Sequence, residues 1–189
     1  CRNHIEEGVG FMKFMNRKRI QRLHFVGIGG AGMSGIAEVL HENGFIVTGS
    51  DTGDGEPIQY LKKLGVHIDS IHEAKNVENA DLVVYSSAVH QDNPELVEAK
   101  TRRIPIIRRA EMLGELMRLK YTLAIAGTHG KTTTTSIVGA IWEKAGLDPT
   151  VIVGGIVKGK GSGAKVGRGS YLIAESDEFD RSFLSMMPS

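Results

Sequence analysis

The sequence lacks the features of a disulfide-bonded, membrane-spanning or nucleic-acid-binding protein. Its single cysteine, Cys1, cannot form a disulfide within the chain, so a reducing compartment is expected. Lysine plus arginine number 23 and aspartate plus glutamate 22, and this balance gives no overall charge to attract nucleic acid or an acidic membrane. No apolar run approaches the ~20 residues of a transmembrane helix. We expect a cytoplasmic protein, a monomer or weak homodimer, without nucleic-acid or membrane partners.

What the chain does contain is an alternation of short apolar strands and helices. This pattern predicts an α/β fold with parallel strands joined by helical crossovers. Residues 1–19 are polar and basic and are predicted to be a flexible N-terminal extension. A first α/β unit is predicted over 20–119 and the start of a second over 120–189, in which the Gly- and Lys-rich stretch 154–169 is a loop or hairpin.

The first chemical motif is a glycine loop over Gly27–Gly32, which fits G-x-G-x-x-G. It follows a predicted strand, Leu23–Val26, and precedes a predicted helix, Met33–His41, which is the context this motif requires. Glycines let the backbone approach a diphosphate, and the helix N-terminus offers free N–H groups. Asp51 ends the next strand, where a Rossmann-like unit binds a ribose hydroxyl. NAD, FAD and other diphosphate ligands all fit the motif.

The second motif is another glycine loop, Gly127–Thr132, again between a strand and a helix. It resembles a P-loop, although Ile125 stands where the strict pattern has its first glycine. In such a loop Lys131 reaches the β- and γ-phosphates and Thr132 supplies a hydroxyl to Mg²⁺. The backbone N–H groups of residues 128–133 can surround the phosphate chain, so a triphosphate site is predicted here.

An acidic cluster follows the predicted strand Tyr171–Ala174. Glu175 lies at the carboxyl end of that strand, where a Mg²⁺ ligand beside a P-loop is expected. Asp177, Glu178 and Asp180 come next, and a solvated acidic turn is the alternative interpretation for them.

Taken together, these motifs resemble those of the Mur ligases. The shared segments are 24–37, Gly49-Ser50-Asp51, Ser86-Ser87-Ala88 with Asn93-Pro94-Glu95, 108–113 and 127–135. The resemblance implies a Rossmann-like UDP-sugar-binding domain over 20–119 and an incomplete central ATP-binding domain over 120–189. From the resemblance we expect the family's C-terminal domain to be absent from this sequence.

The resemblance also implies a reaction in peptidoglycan precursor synthesis. ATP, with Mg²⁺, would phosphorylate the lactyl carboxylate of UDP-N-acetylmuramate, and the amine of L-alanine would attack the acyl phosphate. The implied UDP-sugar-binding residues are Gly29, Gly30, Ala31, Gly32, Met33, Asp51, His72, Ser86 and Ser87. The implied ATP-binding residues are Gly127, Thr128, His129, Gly130, Lys131, Thr132 and Thr133. Lys131, Thr132 and Glu175 would act in catalysis, the last two as metal ligands.

Several alternatives remain open from the residues alone. A sister ligase that recycles muramyl tripeptide shares the same plan. An NAD(P)-dependent dehydrogenase would explain the first loop but not the second. A non-catalytic nucleotide-binding module is a third possibility, and the fragment is expected to be inactive alone. Trp142 and the helical positions Ile137, Val138 and Ile141 are predicted to be core residues.

Overall fold

The structure is a computed structural model that describes residues 20–30, 32–154 and 163–176. Some of the predicted features therefore lie outside the described residues: the extension 1–19, Ala31, Asp177, Glu178 and Asp180. Among the described helices, none is both long enough and apolar enough to cross a membrane.

Five parallel strands form the first sheet in the order β3-β2-β1-β4-β5. They are β1 (Arg22–Val26), β2 (Ile46–Ser50), β3 (His67–Asp69), β4 (Leu82–Tyr85) and β5 (Ile106–Arg108). The helices are α1 (Met33–Glu42), α2 (Glu56–Lys63), α3 (Pro94–Thr101) and α4 (Arg109–Arg118), with a 3-10 helix over Ala74–Val77. Strands β2 and β3 are added on one side of β1, and β4 and β5 on the other. Ligands of such sheets bind at the carboxyl ends of the strands where the order switches, which here is between β1 and β4.

Local sequence sets the ends of the helices around this sheet. Helix α1 ends at Asn43-Gly44, where Gly44 takes a left-handed φ of 88° and its N–H donates to the His41 carbonyl, 2.9 Å away. Helix α2 has Pro57 in its first turn and is followed by Gly65 at φ 95°. Proline inside the start and glycine past the end are the usual helix boundaries.

A second, four-stranded sheet has the order β6-β9-β7-β8. Its strands are β6 (Tyr121–Ala126), β7 (Thr150–Ile152), β8 (Ala164–Lys165) and β9 (Tyr171–Ser176), and helix α5 (Lys131–Lys144) follows β6. The pairs β6–β9 and β9–β7 are parallel, whereas β7 and β8 are antiparallel. Strand β8 lies within the segment 154–169 that was predicted to be a loop or hairpin, but its partner β7 precedes that segment and residues 155–162 lie outside the described residues.

One hydrophobic core runs through both sheets. Helix α1 packs on β8 as well as on its own sheet, and Ile152, Ala164 and Leu172 share a buried cluster with Met33 and Ile36.

Lys120, just before β6, is hydrogen-bonded to other parts of the second sheet region. Its ammonium donates to Thr150 Oγ1 at 3.0 Å and to the carbonyls of Gly167 and Gly169 at 3.2 and 2.9 Å. Burial lowers the pKa of Lys120, and the charge of Asp148 opposes that shift.

Helix α5 packs differently from its prediction. Ile137 and Ile141 are 55% and 59% exposed, so their assignment to the core was wrong, whereas Val138 and Trp142 do pack against the β7–β9 cluster. The buried positions of this helix are instead Thr135 and Gly139. A Cβ on Gly139 would lie 3.0 Å from Val151 Cγ2, so a small residue at that position sets the close approach of the helix to the sheet.

Candidate functional site

The first glycine loop is a tight turn fixed to the end of β2. The N–H groups of Gly27 and Ile28 donate to the Ser50 carbonyl at 2.9 and 3.1 Å. Gly27 and Gly32 have φ of 76° and 73°, a region that L side chains rarely adopt. Gly32 caps helix α1, which has no side-chain cap and no acidic residue in its first turn. The first N–H groups and the positive end of the dipole therefore remain suited to an anion.

Asp51 holds this loop from the end of β2. Its Oδ2 accepts from the Gly29 N–H at 2.8 Å, and its Oδ1 accepts from the Gly53 N–H at 2.8 Å. A Cβ on Gly29 would lie 2.8 Å from Ile58 Cδ1 and 3.0 Å from Asp51 Oδ2, so no larger residue fits without rearrangement. Asp51, which was predicted to bind a ribose hydroxyl, therefore fixes the conformation of the glycine turn in this structure.

A cavity of about 360 Å³ lies beside Asp51, within the usual size range for small-ligand sites. Its walls include three carboxylates, Asp51, Asp54 and Asp69, together with Lys62, Ile58 and Ile68. Carboxylates accept hydrogen bonds from hydroxyl and N–H groups, and against a single lysine they leave the wall with an excess of negative charge. The cavity therefore suits the hydroxyl groups of a nucleoside better than a phosphate, and the helix N-terminus next to it suits the diphosphate.

The two serines predicted from the resemblance lie at the carboxyl end of β4. The Ser86 N–H donates to the Val26 carbonyl at 3.3 Å, and Ser86 Oγ would lie 3.8 Å from a Cβ on Gly30. The structure thus brings Ser86 against the glycine loop. Ser87 is exposed in the turn that follows.

Arg109 was not among the predicted site residues, yet it lies against this loop. Its guanidinium Nη1 would be 2.9 Å from a Cβ on Gly32, which places a positive charge at the N-terminus of α1. A cation at the positive end of a helix favours a bound anion between them. The available signal was the position of Arg109 directly after β5, at the same sheet edge as the other loops.

His72, the remaining predicted residue, lies in the loop after β3. Its Nδ1 is 2.9 Å from Ser50 Oγ and 3.0 Å from Glu95 Oε2. Because the Ser50 carbonyl binds the glycine loop, His72 is linked to that loop indirectly, through Ser50.

The second glycine loop is more open. Gly130 caps helix α5 at φ 77°, without a side-chain cap, and Lys131 Nζ donates to the Gly127 carbonyl at 2.6 Å. A cavity of about 340 Å³ is lined by residues 128–133. His129, Thr132 and Thr133 are exposed. The structure therefore brings the predicted ATP-binding residues around one concave backbone loop.

Glu175 lies beside this loop on the neighbouring strand, in register with Ile125. Its Oε2 accepts from the Gly154 N–H at 2.8 Å. Its Oε1 is buried and has no hydrogen-bond partner among the described residues. An orphaned carboxylate oxygen is an unfavourable burial that a cation would correct, so Glu175 fits a Mg²⁺ ligand. No group of three or more His, Cys, Asp or Glu residues suited to a metal occurs in the described part, and Mg²⁺ commonly completes its shell with phosphate oxygens and water.

Comparison with known proteins agrees with this geometry. Residues 22–121 match the model of the Mur ligase family, catalytic domain. The chain is 58% identical over 171 residues to the UDP-N-acetylmuramate–L-alanine ligase of Geobacter sp. (strain M21), an alignment that covers 90% of this chain and 37% of that protein. The chain thus spans less than two fifths of the length of this relative.

Two solved structures are also similar. The UDP-N-acetylmuramate-alanine ligase of Thermotoga maritima aligns with a TM-score of 0.76 and 38% identity, over 82% of this chain and 37% of that one. The UDP-N-acetylmuramate:L-alanyl-gamma-D-glutamyl-meso-diaminopimelate ligase of Neisseria meningitides aligns with a TM-score of 0.74 and 30% identity, over 85% and 54%. Both likenesses confirm the predicted α/β fold.

Proposed function

Since the chain belongs to the Mur ligase family, we propose that it carries the sugar-nucleotide site and the ATP loop of an enzyme that joins L-alanine to UDP-N-acetylmuramate. Residues 20–119 would be the UDP-sugar-binding domain and 120–189 the first part of the ATP-binding domain. The high identity to a ligase of that name supports this choice over a dehydrogenase, which gives the second loop no role.

The observation that carries the proposal is the pair of uncapped helix N-termini, each preceded by a glycine turn. At the first, the diphosphate would lie on the Gly29–Met33 backbone with Arg109 beside it, and the uridine would enter the cavity at Asp51. At the second, the triphosphate would lie on residues 127–133. Two anion sites in one chain suit a substrate with a diphosphate and a second substrate with a triphosphate.

The proposed reaction has two steps. The γ-phosphoryl group moves from ATP to the lactyl carboxylate of the sugar nucleotide, which releases ADP and forms an acyl phosphate. The amine of L-alanine then attacks the carbonyl carbon, a C–N bond forms and the nitrogen loses a proton, while the C–O bond to the phosphate breaks and inorganic phosphate leaves with its electron pair. Lys131 would exchange the Gly127 carbonyl for a phosphate oxygen and neutralise the charge that develops during transfer. Mg²⁺, held by Thr132 and Glu175, would supply further charge neutralisation.

Calorimetric titration of the 189-residue chain tests the proposal. UDP-N-acetylmuramate should bind the wild type and the Lys131→Met variant equally, while Mg-ATP should bind the wild type more tightly than the variant. Quenching of NADH fluorescence without binding of the UDP-sugar would contradict the proposal in favour of a dehydrogenase. Tighter binding of the UDP-muramyl tripeptide than of UDP-N-acetylmuramate would favour the recycling ligase, which has a similar fold.

A further inference from the structure

A buried polar cluster lies directly behind the first glycine loop. Its centre is Glu95, which is fully buried together with His24 and Ser50. Asn93 caps helix α3 by accepting from the Glu95 N–H at 2.9 Å, and Pro94 occupies the first turn. This arrangement places the Glu95 carboxylate near a helix N-terminus, where a negative charge is favoured.

Four donors surround this carboxylate. Oε2 accepts from Ser50 Oγ at 2.6 Å and lies 3.0 Å from His72 Nδ1. Oε1 accepts from Asn76 Nδ2 at 2.7 Å and lies 3.4 Å from His24 Nε2. Burial alone would raise the pKa of Glu95, but hydrogen bonds from His24, Ser50 and Asn76 outweigh it and lower the pKa below its ordinary value. Glu95 is therefore an anion at neutral pH.

An anionic carboxylate fixes the proton on the His72 ring. A carboxylate only accepts hydrogen bonds, and the Ser50 hydroxyl already donates to it. His72 Nδ1 must therefore carry the hydrogen that faces Glu95, because a lone pair there would be repelled. In the neutral ring Nε2 is then an acceptor, and the His72 side chain is 22% exposed, so this atom is open to a ligand.

We propose that Glu95 is a positioning residue for the sugar-nucleotide site, which holds His72 in the Nδ1–H form so that Nε2 accepts a hydrogen bond from a hydroxyl or N–H group of the UDP ligand. The inference rests on the proposed function, because it assigns a role within the same site. Ser50 couples the two parts of this arrangement, since its side chain contacts His72 and Glu95 while its carbonyl binds the glycine loop.

A double-mutant cycle measures this coupling. The binding of UDP to the 189-residue chain would be measured for wild type, Glu95→Gln, His72→Ala and the double variant. Each single change should weaken binding by about tenfold, the loss of one hydrogen bond in a charged network, and the double variant should bind no more weakly than His72→Ala. Effects that multiply instead would show that Glu95 acts independently of His72 and would overturn the proposal.

Thr48→Val is the matched control. Thr48 Oγ1 lies 2.9 Å from His24 Nδ1, so this variant disturbs the cluster on the side remote from His72. It should lower stability and leave UDP affinity unchanged. A loss of affinity equal to that of Glu95→Gln would indicate a purely structural cluster and would also overturn the proposal.

The ¹⁵N chemical shifts of the His72 ring separate this inference from the proposed function. Wild type should show the Nδ1–H tautomer without any ligand, and Glu95→Gln should lose that preference. A wild-type ring with its proton on Nε2 would overturn the inference even if UDP binds. If the tautomer is as expected and the wild type binds no UDP, the proposed function fails and, with it, the assigned role of His72.

Discussion

Two carboxylates, one in each sheet region, differ in how completely they are paired. Glu95 accepts hydrogen bonds from groups of β2, the loop after β3 and the 3-10 helix, and His24 Nε2 of β1 lies 3.4 Å from it. Glu175 accepts from the Gly154 N–H, and its second oxygen is buried with no hydrogen-bond partner among the described residues. A saturated carboxylate has no capacity left for a ligand, whereas an orphaned oxygen retains it. On this difference rest our proposals that Glu95 supports a preformed site and that Glu175 binds a cation.

The surroundings of the two glycine loops differ in the same way. Helix α1 is buried from Met33 to Leu40, while α5 buries only Thr135 and Gly139. The first loop is held by Ser50, Asp51 and Arg109. In the second loop, the Lys131 ammonium donates to the Gly127 carbonyl. We expect ligand binding to order the second loop more than the first.

The largest expected effect distinguishes the two carboxylates. Glu95→Ala should destabilise the chain by about 3–5 kcal/mol, because it leaves buried donors of a charged network unpaired. Glu175→Ala should change stability by less than about 1 kcal/mol, since the lost hydrogen bond is offset by removal of an orphaned oxygen. Urea unfolding followed by circular dichroism measures both. Equal losses for the two variants would contradict the comparison.

The two helix-capping glycines provide the next contrast. Gly32→Ala and Gly130→Ala should each cost about 1–2 kcal/mol of left-handed backbone strain. Gly32→Ala should cost up to about 1 kcal/mol more, because its Cβ would lie 2.9 Å from Arg109 Nη1, the end of a flexible side chain that must shift, while a Cβ at Gly130 meets nothing within 4 Å. Thermal unfolding of both variants tests this difference. If Gly130→Ala were the more damaging, the second loop would be the more tightly packed.

Acid unfolding tests whether Glu95 is a buried anion in the folded protein. Because the pKa of Glu95 is lowered in the folded state, its contribution to stability is complete above the ordinary carboxyl pKa. That contribution is lost as the pH falls through the lowered value. Wild type should therefore lose stability more steeply in acid than Glu95→Gln. Parallel stability profiles for the two proteins, from urea midpoints between neutral and acidic pH, would refute the assignment of a buried anion.

The smallest effect concerns a half-buried lysine at the start of the second sheet region. Lys120→Met should destabilise by about 1 kcal/mol, because the ammonium donates to Thr150, Gly167 and Gly169 and its hydrogen bonds replace those to water. Lys144→Met, at the exposed end of α5, is the control and should have no measurable effect. A result in the opposite order would contradict a structural role for Lys120 in the second sheet region.

Much of the fold could be predicted because short apolar runs and glycine stops are local signals. The strand over residues 22–26 and the helix from Met33 follow directly from that pattern. The short strand Ala164–Lys165 could not be placed, since it depends on pairing with β7. Ile137 and Ile141 match a helical core pattern, but the contact face of α5 is set by Gly139 against Val151, which apolar periodicity does not reveal.

The candidate site was likewise only partly predictable from the sequence. The two glycine loops are contiguous motifs, so the sequence shows them. The cluster of His24, Ser50, His72, Asn76 and Glu95 is assembled from five separate elements, and its members are adjacent only after the sheet forms. Arg109 was missed for the same reason, because its partner Gly32 lies on another element of the fold.

A titration followed by amide NMR tests the central claim, that one chain holds a sugar diphosphate at its first loop and a triphosphate at its second. UDP-N-acetylmuramate should shift the amide resonances of Gly29, Gly30, Gly32 and Met33, and Mg-ATP those of residues 128–133. Shifts confined to one loop with both ligands, or none at either, would contradict the account.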